Sequence, residues 1–311
     1  MNMKKIIFDA HQDVLTHEQD NNKIIIQTGF EVLAKSTIKM VVSSVFLEPD
    51  KIVGLNNEQK IKIIENQIRD YLTIIRDNEK LMLIKNKRDL NKLMQSNLTG
   101  ILIHIEGIDF IDENNFNIID YFYSLGLRSV GLVWGANNNI GGYSGSKMGL
   151  TNLGKKFIKK LNDQSMLIDL AHTNERTFYD VMKISQKPVM VSHGNCYQLC
   201  EDSRNFKNKQ LKFLAQKKGV QGIFFSKKYV SKRENVSVND VVKQFVKSYK
   251  ISPNVTMIGT DFGGISSGFV ENLNNVNRLS QLMELIEKKL GKEAAEKISY
   301  KNFLNFLEKI I

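Results

Sequence analysis

Eight short apolar runs, separated by longer amphipathic segments, constrain the fold of this chain more than any other feature. The runs are KIIF, KMVVSSVF, GILIHI, RSVGLVW, MLIDLA, PVMVS, GVQGIFF and NVTMIG. Between them, segments such as NNEQKIKIIENQIRDYLTIIRD and VNDVVKQFVKSYK have the apolar spacing of helices. Strands that alternate with helices are typical of a parallel sheet. The sequence therefore predicts an α/β fold, a (β/α)8 TIM barrel with extra C-terminal helices from residue 274 to residue 311 packed outside it.

An open doubly wound sheet is the alternative topology. No G-x-G-x-x-G motif follows a strand-like run, which weakens a dinucleotide-binding interpretation. We interpret LMLIKN as an additional strand or turn, and IIIQTGFEV as a hairpin inserted after the first strand. The chain has three prolines, no repeat and no linker-like composition. A single domain over residues 1–311 is therefore predicted.

The net charge of +11 raises the question of a nucleic-acid partner. The lysines are interleaved with acidic residues and Asn in helical segments such as LIEKKLGKEAAEK, and no basic run is set among aromatic residues. Solvated helix faces explain this charge, so we expect no nucleic-acid partner. A composition of 42% hydrophobic and 25% charged residues is ordinary for a soluble globular protein.

Cysteine usage and hydropathy indicate the compartment. Cys196 and Cys200 are too few for a disulfide framework, and without a second pair we interpret them as packing residues and not as metal ligands. The apolar run after MNMKK is too short for a signal peptide, and no segment reaches the roughly 18 apolar residues that cross a bilayer. We predict a cytoplasmic protein with no membrane partner.

Side chains that can bind a metal or transfer a proton follow the ends of several apolar runs. In an extended chain, residues i and i+2 share a face, so His11 and Asp13 can converge on one point. The carboxyl ends of barrel strands meet at the face where active sites are built. We therefore expect six side chains to lie together: His11, Asp13, Glu106, His172, His193 and Asp261.

An ordinary surface turn, or a hydrogen-bonded structural residue, explains any one of these side chains alone. It explains the set poorly, because three of the five histidines lie at strand ends. His104, inside a strand, and His17, in a loop, are interpreted as structural. Imidazole and carboxylate ligands suit zinc, although manganese, cobalt and iron use similar ligands. The set exceeds what one tetrahedral ion needs, which favours two ions bridged by one carboxylate.

Five motifs, DAHQD, HIEG, LIDLAH, PVMVSHGNCYQLCEDSRN and IGTDFGGI, resemble in this order those of the membrane dipeptidase, or renal dipeptidase, family of dinuclear zinc peptidases. The fourth motif is the most specific, because family members carry a similar SH followed after a fixed gap by RN. The resemblance runs through most of the chain. It implies a single metallo-dipeptidase barrel domain of the metal-dependent hydrolase type, two zinc ions as cofactors and a dipeptide substrate, with a homodimer as a possible assembly.

The resemblance also implies the metal ligands. His11 and Asp13 would bind one zinc ion. His172 and His193 would bind the other. Glu106 would bridge both ions and is therefore a predicted catalytic residue as well as a ligand.

Three further residues receive roles from the same resemblance. Asp261 corresponds to the catalytic carboxylate beside the bridging water, which serves in proton transfer. Arg204 matches the arginine that receives the terminal carboxylate of the substrate, and Asn205 beside it is a second predicted substrate-binding residue. Without the resemblance, Arg204 would be interpreted as a surface residue paired with Glu201 or Asp202.

One segment departs from the family pattern. Animal members carry a His after the fourth strand that contacts the substrate, whereas GLVWGANNNIGG places Trp134 there. Stabilisation of the transition-state oxygen would then come from zinc alone, or from an Asn such as Asn137 or Asn139. Trp134 and Asn137 are therefore predicted substrate-binding residues, with a plain turn as the alternative. Asp169 is either a support for the ligands or a hydrogen-bonded residue of the barrel core.

We therefore predict a zinc-dependent dipeptidase. It would hydrolyse dipeptides with a free C-terminal carboxylate through a metal-bridging hydroxide, and Asp261 would pass the proton to the leaving amine. By resemblance, a D-residue on the C-terminal side would be tolerated, with β-lactam hydrolysis as a side activity. The alternatives are a hydrolase of the same fold acting on another small amide, lactone or ester, and a non-catalytic barrel. Arg204 suits a small carboxylate, and the complete ligand set argues against lost activity.

Overall fold

The computed structural model describes residues 6–20, 25–265 and 268–311, so Lys5 of the first apolar run and Ile24 of IIIQTGFEV lie outside the described residues. The strands within these ranges are β1 Ile7–Gln12, β2 Ile38–Phe46, β3 Leu81–Leu83, β4 Thr99–Glu106, β5 Ser129–Gly131, β6 Leu167–Asp169, β7 Met190–Val191, β8 Val220–Ile223 and β9 Thr256–Ile258. All the strand pairings between them are parallel.

Helices follow most of the strands, as an alternating α/β chain requires. They are α1 Val14–Gln19, α2 Phe30–Lys35, α3 Asn57–Asp77, α4 Lys87–Met94, α5 Ile118–Leu125, α6 Asn152–Asp163, α7 Glu175–Ile184, α8 Asn208–Gln216, α9 Lys227–Val230, α10 Val238–Ile251, α11 Leu279–Leu290, α12 Lys292–Glu296 and α13 Asn302–Leu307. Short 3-10 turns cover Pro49–Lys51 and Val276–Arg278, and a π-helical turn covers Lys297–Lys301.

Eight of the strands close into a barrel in the order β2–β1–β9–β8–β7–β6–β5–β4, and β4 pairs back with β2. The closing ladder runs from Met40 opposite Gly100 to Phe46 opposite Glu106. β3 pairs with the first half of β4, and β5 pairs with the second half. The prediction of a (β/α)8 barrel is confirmed, the open doubly wound sheet is excluded, and LMLIKN supplies the additional strand β3.

The predicted hairpin over IIIQTGFEV is wrong. Residues 25–29 form no strand, and helix α2 begins at Phe30. Gln27 bonds to helix α1 and to a loop instead of to a partner strand. It donates its backbone N–H to His17 Nε2 at 3.0 Å and its side-chain N–H to the carbonyl of Ile265 at 2.8 Å.

The C-terminal helices do more than pack outside the barrel. Phe303, Phe306 and Leu307 of α13 belong to the same buried apolar cluster as Phe8 and Met40 of the first two strands. The rings of Phe8 and Phe303 meet edge to face, with their centroids 6.4 Å apart. Phe8 and Met40 lie near the starts of β1 and β2, so α13 covers the amino-terminal end of the barrel. The carboxyl ends of the strands lie at the opposite end.

Helix α3 links the outer layer to the strand ends. Its first turn is stabilised by a capping box, in which Asn56 and Gln59 each accept a backbone N–H of the other, at 2.9 and 3.0 Å. Its buried face ends in Tyr71, whose hydroxyl lies 2.5 Å from Ser43 Oγ, donates to the carbonyl of Ser44 at 3.1 Å and accepts the N–H of Leu15 at 3.2 Å. One phenol therefore joins three elements.

We expect Tyr71→Phe to lower the free energy of unfolding by about 1–3 kcal/mol, because it leaves buried polar partners without a bond. Tyr121→Phe is the matched control: Tyr121 is 38% exposed and bonds Glu65 and Arg69 at the surface, so its loss should change stability by less than about 0.5 kcal/mol. Chemical denaturation of the two variants measures the difference. Equal effects would contradict this role of Tyr71.

Candidate metal centre

The six predicted side chains meet at the carboxyl end of the barrel. Glu106 is the last residue of β4, and the others lie within β1 or shortly after β1, β6, β7 and β9. Around His11 Nε2, the nearest oxygens of three carboxylates stand at 3.5 Å (Asp13), 3.5 Å (Glu106) and 3.6 Å (Asp261). His11 is completely buried and Asp261 is 9% exposed. Residues far apart in sequence therefore share one small volume.

Glu106 belongs to two ligand sets at once. Its Oε2 faces His11, and its Oε1 lies 2.9 Å from His172 Nε2. His172 Nε2 and His193 Nε2 are 3.0 Å apart. In each of two sets, His11–Asp13–Glu106 and Glu106–His172–His193, the ligand atoms lie within 4.8 Å of one another. Glu106 therefore faces two groups of histidine and carboxylate donor atoms, one with each of its oxygens.

The donor set fits divalent cations. Both ring nitrogens of His11 are buried without a hydrogen-bond partner among the described residues, and Oε1 of Glu106 accepts no hydrogen bond of good geometry although His172 Nε2 lies 2.9 Å away. Buried polar atoms without such bonds are costly, so these atoms fit a bound cation. Nitrogen and oxygen donors of this kind suit zinc, manganese or cobalt.

The pKa shifts of these side chains also fit a site for divalent cations. Burial lowers the pKa of His11, but the carboxylates of Glu106 and Asp13 outweigh burial and hold that pKa well above the imidazole range. Burial raises the pKa of Asp261, and the charge of Asp13 raises it further. Burial and the charge of Arg204 lower the pKa of His172 to about 4, which leaves this imidazole neutral, as a metal ligand must be. Crowded carboxylates thus draw positive charge to the centre.

Two of these residues have strained backbones. His172 and Asp261 lie in the left-handed region, with φ of 66° and 62°. A residue other than glycine adopts this conformation only where its surroundings enforce it, and such residues cluster at functional sites. Here the N–H of Asp261 donates to the carbonyl of His11 at 3.0 Å. Nothing in the sequence signals this strain.

Arg204 lies at the centre. Its side chain is buried, Nη2 is 2.6 Å from His193 Nε2, and the guanidinium carbon lies 5.9 Å from the ring centroid of Phe224. The surface pairing considered as an alternative is wrong. The bond from Arg204 to the Asp202 side chain comes from the backbone N–H, at 3.0 Å, and not from the guanidinium. The ion pair of Asp202 is with Lys232, at 3.3 Å.

Asn205 does not face the centre. Its Nδ2 donates to the carbonyls of Cys200 at 2.8 Å and Tyr229 at 2.9 Å, and its Oδ1 accepts the N–H of Asn195 at 3.2 Å. Both donor hydrogens are used by the backbone. These bonds hold the loop that carries Arg204, and the predicted role of Asn205 in substrate binding stays a prediction.

In the GANNNIGG segment and the Trp134 before it, one predicted substrate-binding residue lies beside the centre and the other does not. Trp134 lies at the edge of the centre. Its ring centroid is 6.3 Å from that of His172 and 5.5 Å from that of Phe46. Asn137 is exposed and accepts the N–H of Tyr143 at 3.2 Å, and Asn139 donates to the carbonyl of Ile111 at 3.0 Å. The structure places Trp134 beside a ligand and uses the two amides to shape the loop, so Asn137 is not brought to the centre.

The remaining histidines and cysteines have other surroundings. His17 is buried and bonded to Gln27. His104 lies beneath the centre, 2.8 Å from Ser129 Oγ and 3.6 Å from Asp169 Oδ2, and burial with the charge of His11 lowers its pKa to about 3. Together with His11 and Asp169 it forms another set of close donor atoms. In the described ranges, neither cysteine belongs to such a set.

Sequence reasoning missed three polar residues of this region. Asp9, Ser192 and Thr260 are completely buried among the strand ends. Each lies one or two positions before a predicted site residue, and that position is the only signal the sequence contained.

The sequence profile of the membrane dipeptidase family (peptidase family M19) matches residues 1–310. The chain belongs to the membrane dipeptidase family. This confirms the family resemblance of its motifs. Across the described part of the chain, no helix has the length and apolar character to cross a membrane.

The chain is similar in sequence to several known proteins. An uncharacterized protein encoded in the 3′ region of PQQ-III in Acinetobacter calcoaceticus is 33% identical over 146 residues, 44% of this chain and 46% of that protein. An uncharacterized dipeptidase of Schizosaccharomyces pombe is 26% identical over 178 residues, 54% of this chain and 42% of that protein. The chain thus matches less than half the length of either relative.

Solved structures share the fold. A metallopeptidase of Rhodobacter sphaeroides, bound to a phosphinate mimic of the dipeptide L-Ala-D-Ala, superposes with a TM-score of 0.88 at 18% identity and covers 98% of this chain and 99% of its own. The probable dipeptidase PvdM of Pseudomonas aeruginosa has a TM-score of 0.85 at 15% identity, over 98% and 95% of the two chains. At these identities the likeness establishes the barrel and not the chemistry.

Glu106→Gln tests the shared ligand. A neutral amide cannot supply the charge of a bridge, so we expect both ions to be lost together, as measured by elemental analysis of protein purified without chelator. Glu175→Gln is the matched control, because Glu175 forms an exposed ion pair with Lys207 at 2.7 Å. Retention of one ion at full occupancy in Glu106→Gln would contradict a bridging role.

Proposed function

We propose that this protein is a dipeptidase that uses two divalent ions, zinc in the first instance, to hydrolyse dipeptides with a free C-terminal carboxylate. One observation carries the proposal: the two oxygens of Glu106 face two histidine-containing ligand sets. Family membership supports a metallopeptidase, and the relative from Rhodobacter sphaeroides was solved with a dipeptide mimic.

The distances around Glu106 support the ligand roles that the family resemblance implies. His11 and Asp13 would hold one ion, His172 and His193 would hold the other, and Glu106 would contribute to both. Ions held in this way acidify water and polarise a scissile carbonyl. The surrounding burial strengthens each of these electrostatic effects, because little water screens them.

Asp261 is the group proposed to move the proton. Its Oδ1 lies 3.6 Å from His11 Nε2. Asp261 forms a set of close donor atoms with His11 and His193, but it belongs to neither of the two sets that share Glu106. Burial and the charge of Asp13 raise its pKa well above the carboxyl range. Asp261 would take a proton from the attacking water and give it to the leaving amine.

Arg204 is proposed to bind the substrate carboxylate. It brings a buried guanidinium to within 2.6 Å of a ligand nitrogen, and its planar fork can donate two parallel hydrogen bonds to a carboxylate. Trp134 and Phe46 form an aromatic wall on the His172 side that would contact an apolar part of the substrate. The proposal includes dipeptide substrates with a D-residue on the C-terminal side.

The second candidate is a hydrolase that acts on another small amide, lactone or ester. The same ligand sets would serve that reaction, but the buried charge of Arg204 favours a substrate with a carboxylate. A cytoplasmic location, a homodimer and a single domain over residues 1–311 stay predictions of the sequence.

The substrate class is tested by hydrolysis of L,L- and L,D-dipeptides as free acids and as C-terminal amides, with the metal removed and restored. We expect activity on the acids, loss on chelation and recovery with zinc. Arg204→Lys should lower kcat/KM for the acids roughly 30-fold, corresponding to about 2 kcal/mol, and affect the amides little. Arg233→Lys, at a side chain 58% exposed, is the control. Equal losses on acids and amides would show that Arg204 supports the loop and does not bind the carboxylate.

Asp261→Asn separates proton transfer from metal binding. The amide cannot accept the proton, so kcat should fall by about 10²–10⁴-fold, whereas the metal content should stay near that of the wild type. Kinetics and elemental analysis on the same preparation make the comparison. A parallel loss of metal and rate would identify Asp261 as an essential ligand instead.

A further inference from the structure

Two buried aspartates that are not assigned as ligands occupy corresponding places beneath the two halves of the centre. Asp9 lies in β1, two residues before His11, and Asp169 ends β6, three residues before His172. Asp9 is 0% exposed and Asp169 is 1% exposed. A buried carboxylate is costly unless several hydrogen bonds satisfy it, so the partners of each one indicate what it does.

Asp169 joins the ends of β6 and β7. Its Oδ1 accepts the N–H of Ala171 at 2.9 Å and the N–H of Ser192 at 2.8 Å, and its Oδ2 accepts the hydroxyl of Ser192 at 2.5 Å. Ala171 directly precedes His172, and Ser192 directly precedes His193. One carboxylate therefore sets the separation of the two backbones that carry one ligand pair.

Asp9 does the same for β1 and β9. Its Oδ1 accepts the N–H of His11 at 3.3 Å and the N–H of Thr260 at 3.0 Å, and its Oδ2 accepts the hydroxyl of Thr260 at 2.7 Å. Gln12 Nε2 donates to the same oxygen at 2.6 Å. Thr260 directly precedes Asp261, so the pair joins the backbones of His11 and Asp261.

The Ser192 hydroxyl also orients an imidazole. Its one proton is donated to Asp169, so the contact of 2.8 Å between Ser192 Oγ and His193 Nδ1 requires the proton to be on the ring nitrogen. His193 then has its lone pair on Nε2, the atom that faces His172 and Glu106. Hydrogen bonds of this kind fix the tautomer of metal-binding histidines.

We propose that two clamps, Asp169–Ser192 and Asp9–Thr260, position the two ligand sets separately. The first clamp positions His172 and His193, and the second positions His11 and the adjoining Asp261. These are positioning residues, since they act through the ligands. An ordinary core carboxylate would account for one such arrangement; its repetition under both halves, each time with a hydroxyl directly before a site residue, carries the inference. The proposal rests on the two-ion centre proposed above.

The test is a calorimetric titration of the metal-free full chain with Co²⁺, which separates two classes of site. Ser192→Ala should weaken one class about 10–100-fold and leave the other within threefold, and Thr260→Val should do the reverse. Thr260→Ser, which keeps the hydroxyl, should restore binding. Ser248→Ala is the matched control, because this equally buried hydroxyl bonds Gln221 and Thr256 and neither clamp.

A double-mutant cycle assigns the classes. In a His193→Ala background, Ser192→Ala should weaken Co²⁺ binding less than it does in the wild type, because only its effect through His172 is left, whereas Thr260→Val should add its full effect there. The clamps would be overturned if either single variant weakened both classes of site equally, whether from local distortion or loss of the fold. They would also be overturned if both variants bound Co²⁺ with wild-type affinities. A wild-type chain that binds fewer than two ions would instead overturn the two-ion centre itself.

Discussion

The structure depends on keeping several carboxylates and imidazoles together in a buried volume at one end of a barrel. Glu106, Asp13 and Asp261 all approach His11 Nε2 within 3.6 Å, and such crowding of like charges opposes folding unless positive charge accompanies it. Arg204 contributes positive charge to this cluster, and divalent ions are the partners that the donor set suits.

The barrel brings these side chains together because the carboxyl ends of its strands lie at the same level. The ladder between β2 and β4 carries Glu106 to the rim, and α13 covers the opposite end with Phe303 and Phe306, so polar residues are confined to one face. Rigid strand ends are held in register by buried hydrogen bonds at Tyr71, Asp9 and Asp169. The cost of left-handed backbone at His172 and Asp261 is met by this surrounding order.

Much of the fold and the composition of the cluster could be predicted from the sequence. Apolar runs ending in His, Asp or Glu are visible one at a time, and parallel strands bring their ends together. The local contacts that could not be predicted have a common cause. Asn137, Asn205 and the segment around Gln27 carry polar groups that look available for a ligand or a strand, yet nearby backbone groups use them. Which partner satisfies a polar side chain depends on loop paths, and those leave no periodic trace in the sequence.

The sequence by itself determined the alternation of strands and helices, the identity of the six clustered side chains and the family, because these depend on residue type and order. Only the tertiary structure decided that Glu106 faces two ligand sets with its two oxygens, that Arg204 is buried against His193, and that Asp169 and Asp9 tie neighbouring strand ends together. Those are distances between residues remote in the chain. They are set by barrel closure and by the hydrogen bonds of buried groups, so no local pattern specifies them.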